Sequence, residues 1–187
     1  MNTWEPFALT SNQSLVGPTI RVMGEECPID IPFSAVTAYH GQAALAMLAV
    51  AFQAIRAGFG VLSPDRPPPR TAITVVSGHP GPGVRDAFEF VTRAVTRGVY
   101  VVDRSLPSSR LVAEHDISYS FRISLNGRTV EIALRPDALP ERFFVLNFAK
   151  SRSAANEQEL SELKRSIAEQ VLRGLPENLF VIGLLKS

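Results

Sequence analysis

Cysteine is nearly absent from this chain: Cys27 stands alone among 187 residues. No intrachain disulfide can form, and no Cys-x-x-Cys pair exists for a redox couple or thiolate metal site. Histidine is also sparse, limited to His40, His79 and His115. Neither sign of charge dominates, with 19 Lys and Arg against 18 Asp and Glu for a formal net charge of +1. That balance supplies no field to recruit a polyanion, so no nucleic-acid partner is expected. The longest apolar stretch, AALAMLAVAFQAI from Ala43 to Ile55, falls short of the roughly 20 residues of a membrane span and contains Gln53, so it predicts a buried helix and no membrane partner. The opening MNTWEPFALTSNQSLVG has no basic-then-apolar leader, which together with the lone cysteine predicts a cytoplasmic protein.

Motifs are missing as well. The sequence has no His-Glu-x-x-His, no Gly-x-Ser-x-Gly, no dinucleotide fingerprint and no P-loop, so metalloprotease, nucleophilic hydrolase and nucleotide-binding readings have no support.

What is present is a chain 45% hydrophobic and 20% charged, enough for one well-filled domain. Residues 1–32 mix polar, Gly and Pro residues and read as an irregular arm with one strand candidate at Thr19–Met23; residues 33–187 read as the folded domain. Ser34 is placed to cap one long helix running to about Ala57, with Ala44, Leu48, Ala51, Phe52 and Ile55 on one side and Gly58 and Gly60 stopping it. The four prolines of SPDRPPPR make a stiff connector. Then TAITVVS reads as a strand, GHPGPG as a turn, VRDAFEFVTRAV as a helix ending at Gly98, and VYVVD as a strand ending at Asp103, an α/β crossover. Alternation at Ile117, Tyr119, Phe121 and Ile123, the turn pair Asn126-Gly127, and alternation resuming at Val130, Ile132 and Leu134 predict a hairpin. Asn156 with Glu159 resembles a capping box for a helix carrying Leu160, Leu163, Ile167 and Val171 and ending at Gly174 and Pro176, and LFVIGLL closes the chain as a strand. The fold class expected is α+β, a mixed sheet with helices packed on it.

Few side chains carry chemistry. His40 falls near Ala44 on the helix face that bears Leu48 and Ala51, so it points inward and needs hydrogen-bond partners or a metal. His79 lies in a turn between strand and helix, where α/β folds place ligands, although a plain Pro/Gly turn explains it equally. His115 reads as an exposed residue at the hairpin entrance. Cys27 is a lone thiol beside Glu25 and Glu26, and Arg93 with Arg97 is either an anion grip or a solvated pair.

Taken in order, YHGQAALAMLAVAFQAI, VRDAFEFVTRAVTRGVYVVD and LPENLFVIGLL resemble three landmarks of the FmdE-like family, proteins related to one component of formylmethanofuran dehydrogenase, across Ser34 to Leu185. That family opens its helix with His-Gly-His-x-Cys-Pro-Gly, opens a second with Cys-x-x-Asp-Ala, and closes with a Leu-Phe strand. His40-Gly41, Asp86-Ala87, Thr96 with Gly98, Asp103 and Leu179-Phe180 match. Gln42 stands at the second histidine, Ala44 at the first cysteine and Gly83 at the second. The resemblance implies a metal- or small-ligand-binding protein, an accessory to one-carbon or molybdenum/tungsten enzyme metabolism, with a homodimer common in the family. A divalent transition metal such as zinc, held at a divergent site by His40, His79 and Asp86, is the sharpest form of it. Two alternatives stay open: an enzyme using His40 as general acid or base with Asp86 or Arg85 positioning substrate, and a structural or interaction protein that kept the framework without metal.

Overall fold

The apolar run after His40 becomes the central helix, but not in one piece. The computed structural model describes residues 17–41 and 43–185, and in it a short helix α1 (Phe33–His40) stops before α2 (Leu45–Leu62) begins. Gly41 makes the break: its φ of 82° lies in the left-handed region that only glycine enters at little cost, and its N–H closes the last turn on the Thr37 carbonyl. The entry also differs from the sequence expectation. Pro32 stands at the N-cap position and Ser34 lies within the helix.

Nor do Gly58 and Gly60 stop α2, which runs on to Leu62. Gly58 is there for contact: a Cβ would stand 2.7 Å from the Cδ1 of Ile123, so the missing side chain lets the helix lie directly on the sheet. By length and composition α2 could cross a membrane, yet Leu48 through Ile55 is wholly buried within the fold.

The sheet beneath has five strands in the order β4-β3-β5-β6-β7. Strand β3 (Thr74–Ser77) leads through helix α3 (Pro82–Thr92) to β4 (Tyr100–Val102), parallel to β3, which completes the expected crossover. Strands β5 (Ser120–Leu125) and β6 (Arg128–Leu134) pair antiparallel, with Asn126 and Gly127 at φ 52° and 76° as a type I′ turn requires. After β6, helix α4 (Glu141–Phe148), absent from the sequence expectation, precedes α5 (Ala154–Arg173). The Ser153 side chain caps α5 by accepting the Asn156 N–H at 3.2 Å, so the helix starts before the expected Asn156 box. A single turn α6 (Pro176–Leu179) then leads into edge strand β7 (Phe180–Leu185). The architecture is α+β in one domain, as the sequence predicted.

The described part of the N-terminal arm is ordered. Strands β1 (Thr19–Met23) and β2 (Pro28–Pro32) form a hairpin whose Ile20, Val22 and Ile31 join the core; residues 1–16 and Gln42 lie outside the described residues. Helix α3 buries Val84, Ala87, Phe88 and Val91, and full burial of a side chain such as Phe88 is worth about 1.5–3 kcal/mol. It ends at Thr92, earlier than the expected Gly98, because Arg93 turns left-handed at φ 57°. Glu89 accounts for that end. Its carboxylate accepts the N–H groups of Val95 and Thr96 at 2.8 and 3.0 Å and the Thr96 hydroxyl. Burial alone would raise the Glu89 carboxyl pKa, but these donors and the Arg93 cation outweigh it and hold the group below the usual range.

Candidate functional site

Helix α1 meets α3 through two adjacent pairs. The rings of Tyr39 and Phe90 lie 5.2 Å apart, and one residue on, His40 Nδ1 stands 2.7 Å from Asp86 Oδ2. Asp86 and Phe90 are one helical turn apart, so both face α1. The segment between α1 and α2 closes against the first turn of α3 at Ala44 and Gly83, where a Cβ on Gly83 would approach the Ala44 Cβ to 2.7 Å.

This geometry fixes what His40 can do. In the neutral imidazole Nδ1–H donates to the Asp86 carboxylate, which leaves the lone pair on Nε2. The side chains retain 10% and 21% of their exposure, so the pair is shielded but reachable. The Arg85 guanidinium lies 3.6 Å from the other Asp86 oxygen and is half exposed. An oriented base with a cation beside it can move a proton on an anionic ligand.

His79 has different partners. Ser77 Oγ accepts the His79 N–H and donates to the His79 carbonyl, and the imidazole Nδ1 accepts the Gly81 N–H at 2.9 Å. The ring lies edge-on to Tyr119, centroids 4.9 Å apart. A Cβ at position 81 would stand 2.5 Å from the His79 Cε1, so any larger residue there would force the buried ring to shift. Burial pushes the His79 pKa down to about 4, so near neutral pH the ring is uncharged, with its proton on Nε2. Burial likewise pushes the Tyr119 hydroxyl up to about 12.

Of the three ligands expected together, the structure pairs His40 with Asp86, and His79 is bonded to neither. Among the described residues, no three His, Cys, Asp or Glu side chains group closely enough to hold a metal ion. Cys27 is exposed in the β1–β2 turn beside exposed Glu25 and Glu26. His115 is half-buried and stacks on Phe148, centroids 3.9 Å apart and planes at 23°, instead of standing free in solvent. Arg93 pairs with Glu89, and Arg97 donates to the backbone carbonyls of Thr71, Ile73 and Thr92, so the second arginine is a brace between α3 and the start of β3, not half of an anion grip.

Tyr100 gives no signal in the sequence. Its hydroxyl is buried with no hydrogen-bond partner among the described residues. Burial raises its pKa; Ser77 and Arg85 pull it down, and Asp86 pushes it up. Ser77 Oγ, committed to the His79 carbonyl, lies near without bonding geometry. A tyrosine opening an apolar strand carries no motif, so only the fold could place it beside the charges of Arg85 and Asp86. The chain matches no protein-family model, and no curated protein aligns with it significantly.

Proposed function

We propose that this protein is an enzyme acting on a small anionic molecule, with His40 as general acid or base, Asp86 as the group that orients it, and Arg85 as the cation that receives the substrate. The observation that carries this reading is the 2.7 Å contact from His40 Nδ1 to Asp86. A carboxylate on Nδ1 fixes the ring and its tautomer and steadies the imidazolium formed when Nε2 takes a proton, as in triad enzymes on unrelated folds. Proton transfer by such a group contributes about 10²–10⁴ in rate.

Carbethoxylation by diethyl pyrocarbonate at pH 7, located by peptide mass spectrometry, tests the claim before a substrate is in hand. His40 is expected to react in the native protein and several-fold more slowly in Asp86→Asn, where the tautomer is no longer enforced. A His40 that reacts only after unfolding in urea would mean that Nε2 is closed off and that the pair merely fastens α1 to α3.

A second reading follows the FmdE-like resemblance, and the placement of Ala44 against Gly83 favours it: the two positions that match the family's cysteines are neighbours near His40. Exposed Val181, Leu184 and Leu185 on edge strand β7 suit the homodimer that the resemblance implies. The donor set fits a family-type zinc site poorly, since Ala44 and Gly83 offer no ligand atom and His79 Nδ1 is engaged by Gly81. Elemental mass spectrometry of untagged protein and His40→Ala decides this reading: near-stoichiometric metal lost in the variant would support a rebuilt site accessory to one-carbon or molybdenum/tungsten metabolism. Metal-free protein that takes up none on dialysis would end it.

A further inference from the structure

On the flank of α4 lies a cavity of about 410 Å³, within the size range of small-molecule sites. Its walls come from the segment before β5 and from α4: Leu111, Val112, His115, Phe144, Val145 and Phe148. Phe148 forms one face of the His115 stack, and Phe144 meets Tyr119 edge-on at 5.6 Å, so rigid aromatic surface backs the cavity.

Two carboxylates, Glu114 and Glu141, also line it. Neither takes part in an ion pair among the described residues, whereas the nearby cations are committed elsewhere. Arg110 binds Asp116 at 2.6 Å, Arg142 binds Glu159 at 2.5 Å, and Arg152 binds Glu157 at 2.7 Å. Lys150 is exposed and outside the lining. The cavity therefore joins two exposed carboxylates without ion-pair partners among the described residues to the rings of Phe144 and Phe148, the latter covered on one face by His115. Aromatic rings attract cations through their quadrupole. The charge differs in sign from that required at the Arg85 site, so one anionic substrate would not serve both.

We infer that this cleft is a second ligand site, selective for a small organic cation with a flat apolar body, such as an aryl amidine or aryl ammonium compound. The body lies against Phe144, Val145 and Phe148, and the charged head sits between Glu114 and Glu141. The inference stands independently of the role proposed for His40.

The probe is 4-aminobenzamidine, titrated into the full chain by isothermal calorimetry, with benzoate as the flat anion of similar size. Saturable one-to-one binding of the amidine is expected, with none of benzoate, and the affinity should fall at least about tenfold in the Glu114→Gln/Glu141→Gln variant. Glu141 also lies in the first turn of α4, where its charge favours the helix; circular dichroism and the thermal midpoint of the variant establish that it is folded. Val145→Trp, at a position more than half exposed, should block the amidine by filling the cleft, and His40→Ala should leave binding unchanged. No saturable binding, equal binding of benzoate, or full affinity in the double Gln variant would overturn the site. Binding lost in His40→Ala but kept in Val145→Trp would place the probe elsewhere and overturn it equally.

Discussion

A Cβ added to Gly83 would stand 2.7 Å from the Cβ of Ala44, closer than two such carbons pack. The loop leaving α1 and the first turn of α3 thus meet backbone to methyl, beside the His40–Asp86 pair. The space at this junction is already used.

Gly83→Ala is accordingly expected to destabilise the fold, although alanine is the better helix former by about 1 kcal/mol. Overpacking of this kind costs about 1–3 kcal/mol. Urea unfolding should register the loss, and Ala44→Gly should recover much of it when combined with Gly83→Ala, since the clash then has only one side. Additive effects in this double-mutant cycle would show that the two positions do not press on each other.

The pairing of His40 with Asp86 predicts a tautomer. In ¹⁵N-resolved spectra of histidine-labelled protein at a pH where His40 is neutral, its proton should reside on Nδ1, whereas that of His79 should reside on Nε2 because its Nδ1 accepts the Gly81 N–H. Asp86→Asn should shift His40 toward a mixture and leave His79 unmoved. An unchanged His40 in that variant would remove Asp86 as its orienting partner.

How far the sequence foretold this arrangement depends on the range of each interaction. The β5–β6 hairpin was legible because Asn126-Gly127 and the alternation around it are local. The inward turn of His40 was legible from helical spacing. Asp86 entered beside His40 only through the family resemblance, because it lies 46 residues away and periodicity says nothing of which helix docks against which. Gly58 misled because a missing side chain marks either a stop or a close approach, and only Ile123, on a distant strand, decides between them. Gly41, by contrast, did break the helix, yet in the sequence it sits inside an unbroken apolar period. His79 lies near Asp86 along the chain, but its Nδ1 accepts the Gly81 N–H and its backbone is bonded to Ser77, which ties the residue into its own turn.

His79 should also make stability depend on pH. Its folded pKa, about 4, lies below the ordinary 6.5, so between those values the unfolded chain binds the proton and the folded chain does not. Stability is therefore full above about pH 6.5, falls as the pH is lowered toward 4, and from this group levels off below that. A shift of that size corresponds to about 3 kcal/mol at most. Urea midpoints of wild type and His79→Asn at pH 7 and pH 4.5 should show a smaller pH-induced loss in the variant, the carboxylates common to both cancelling. Equal losses would mean that burial does not hold His79 neutral.

Gln53 offers the sharpest contrast between composition and structure. In the middle of α2 it is wholly buried among alanines and phenylalanines, an arrangement that would cost several kcal/mol if its amide found no partner. The amide donates to the carbonyls of Val171 and Gly174 at 2.7 and 3.0 Å, and its oxygen accepts from Arg56 at 2.6 Å. One side chain of the central helix thus satisfies carbonyl groups left over at the C-terminal end of α5. Gln53→Leu keeps the volume and raises the apolarity of α2, so on hydrophobicity alone it should stabilise. The prediction is the reverse: a loss of about 1–3 kcal/mol, because the buried Val171 carbonyl and the partly buried Gly174 carbonyl would be stranded. Amide hydrogen exchange should locate the damage at the last turn of α5, and a variant as stable as wild type would mean that water replaces the glutamine there at no cost.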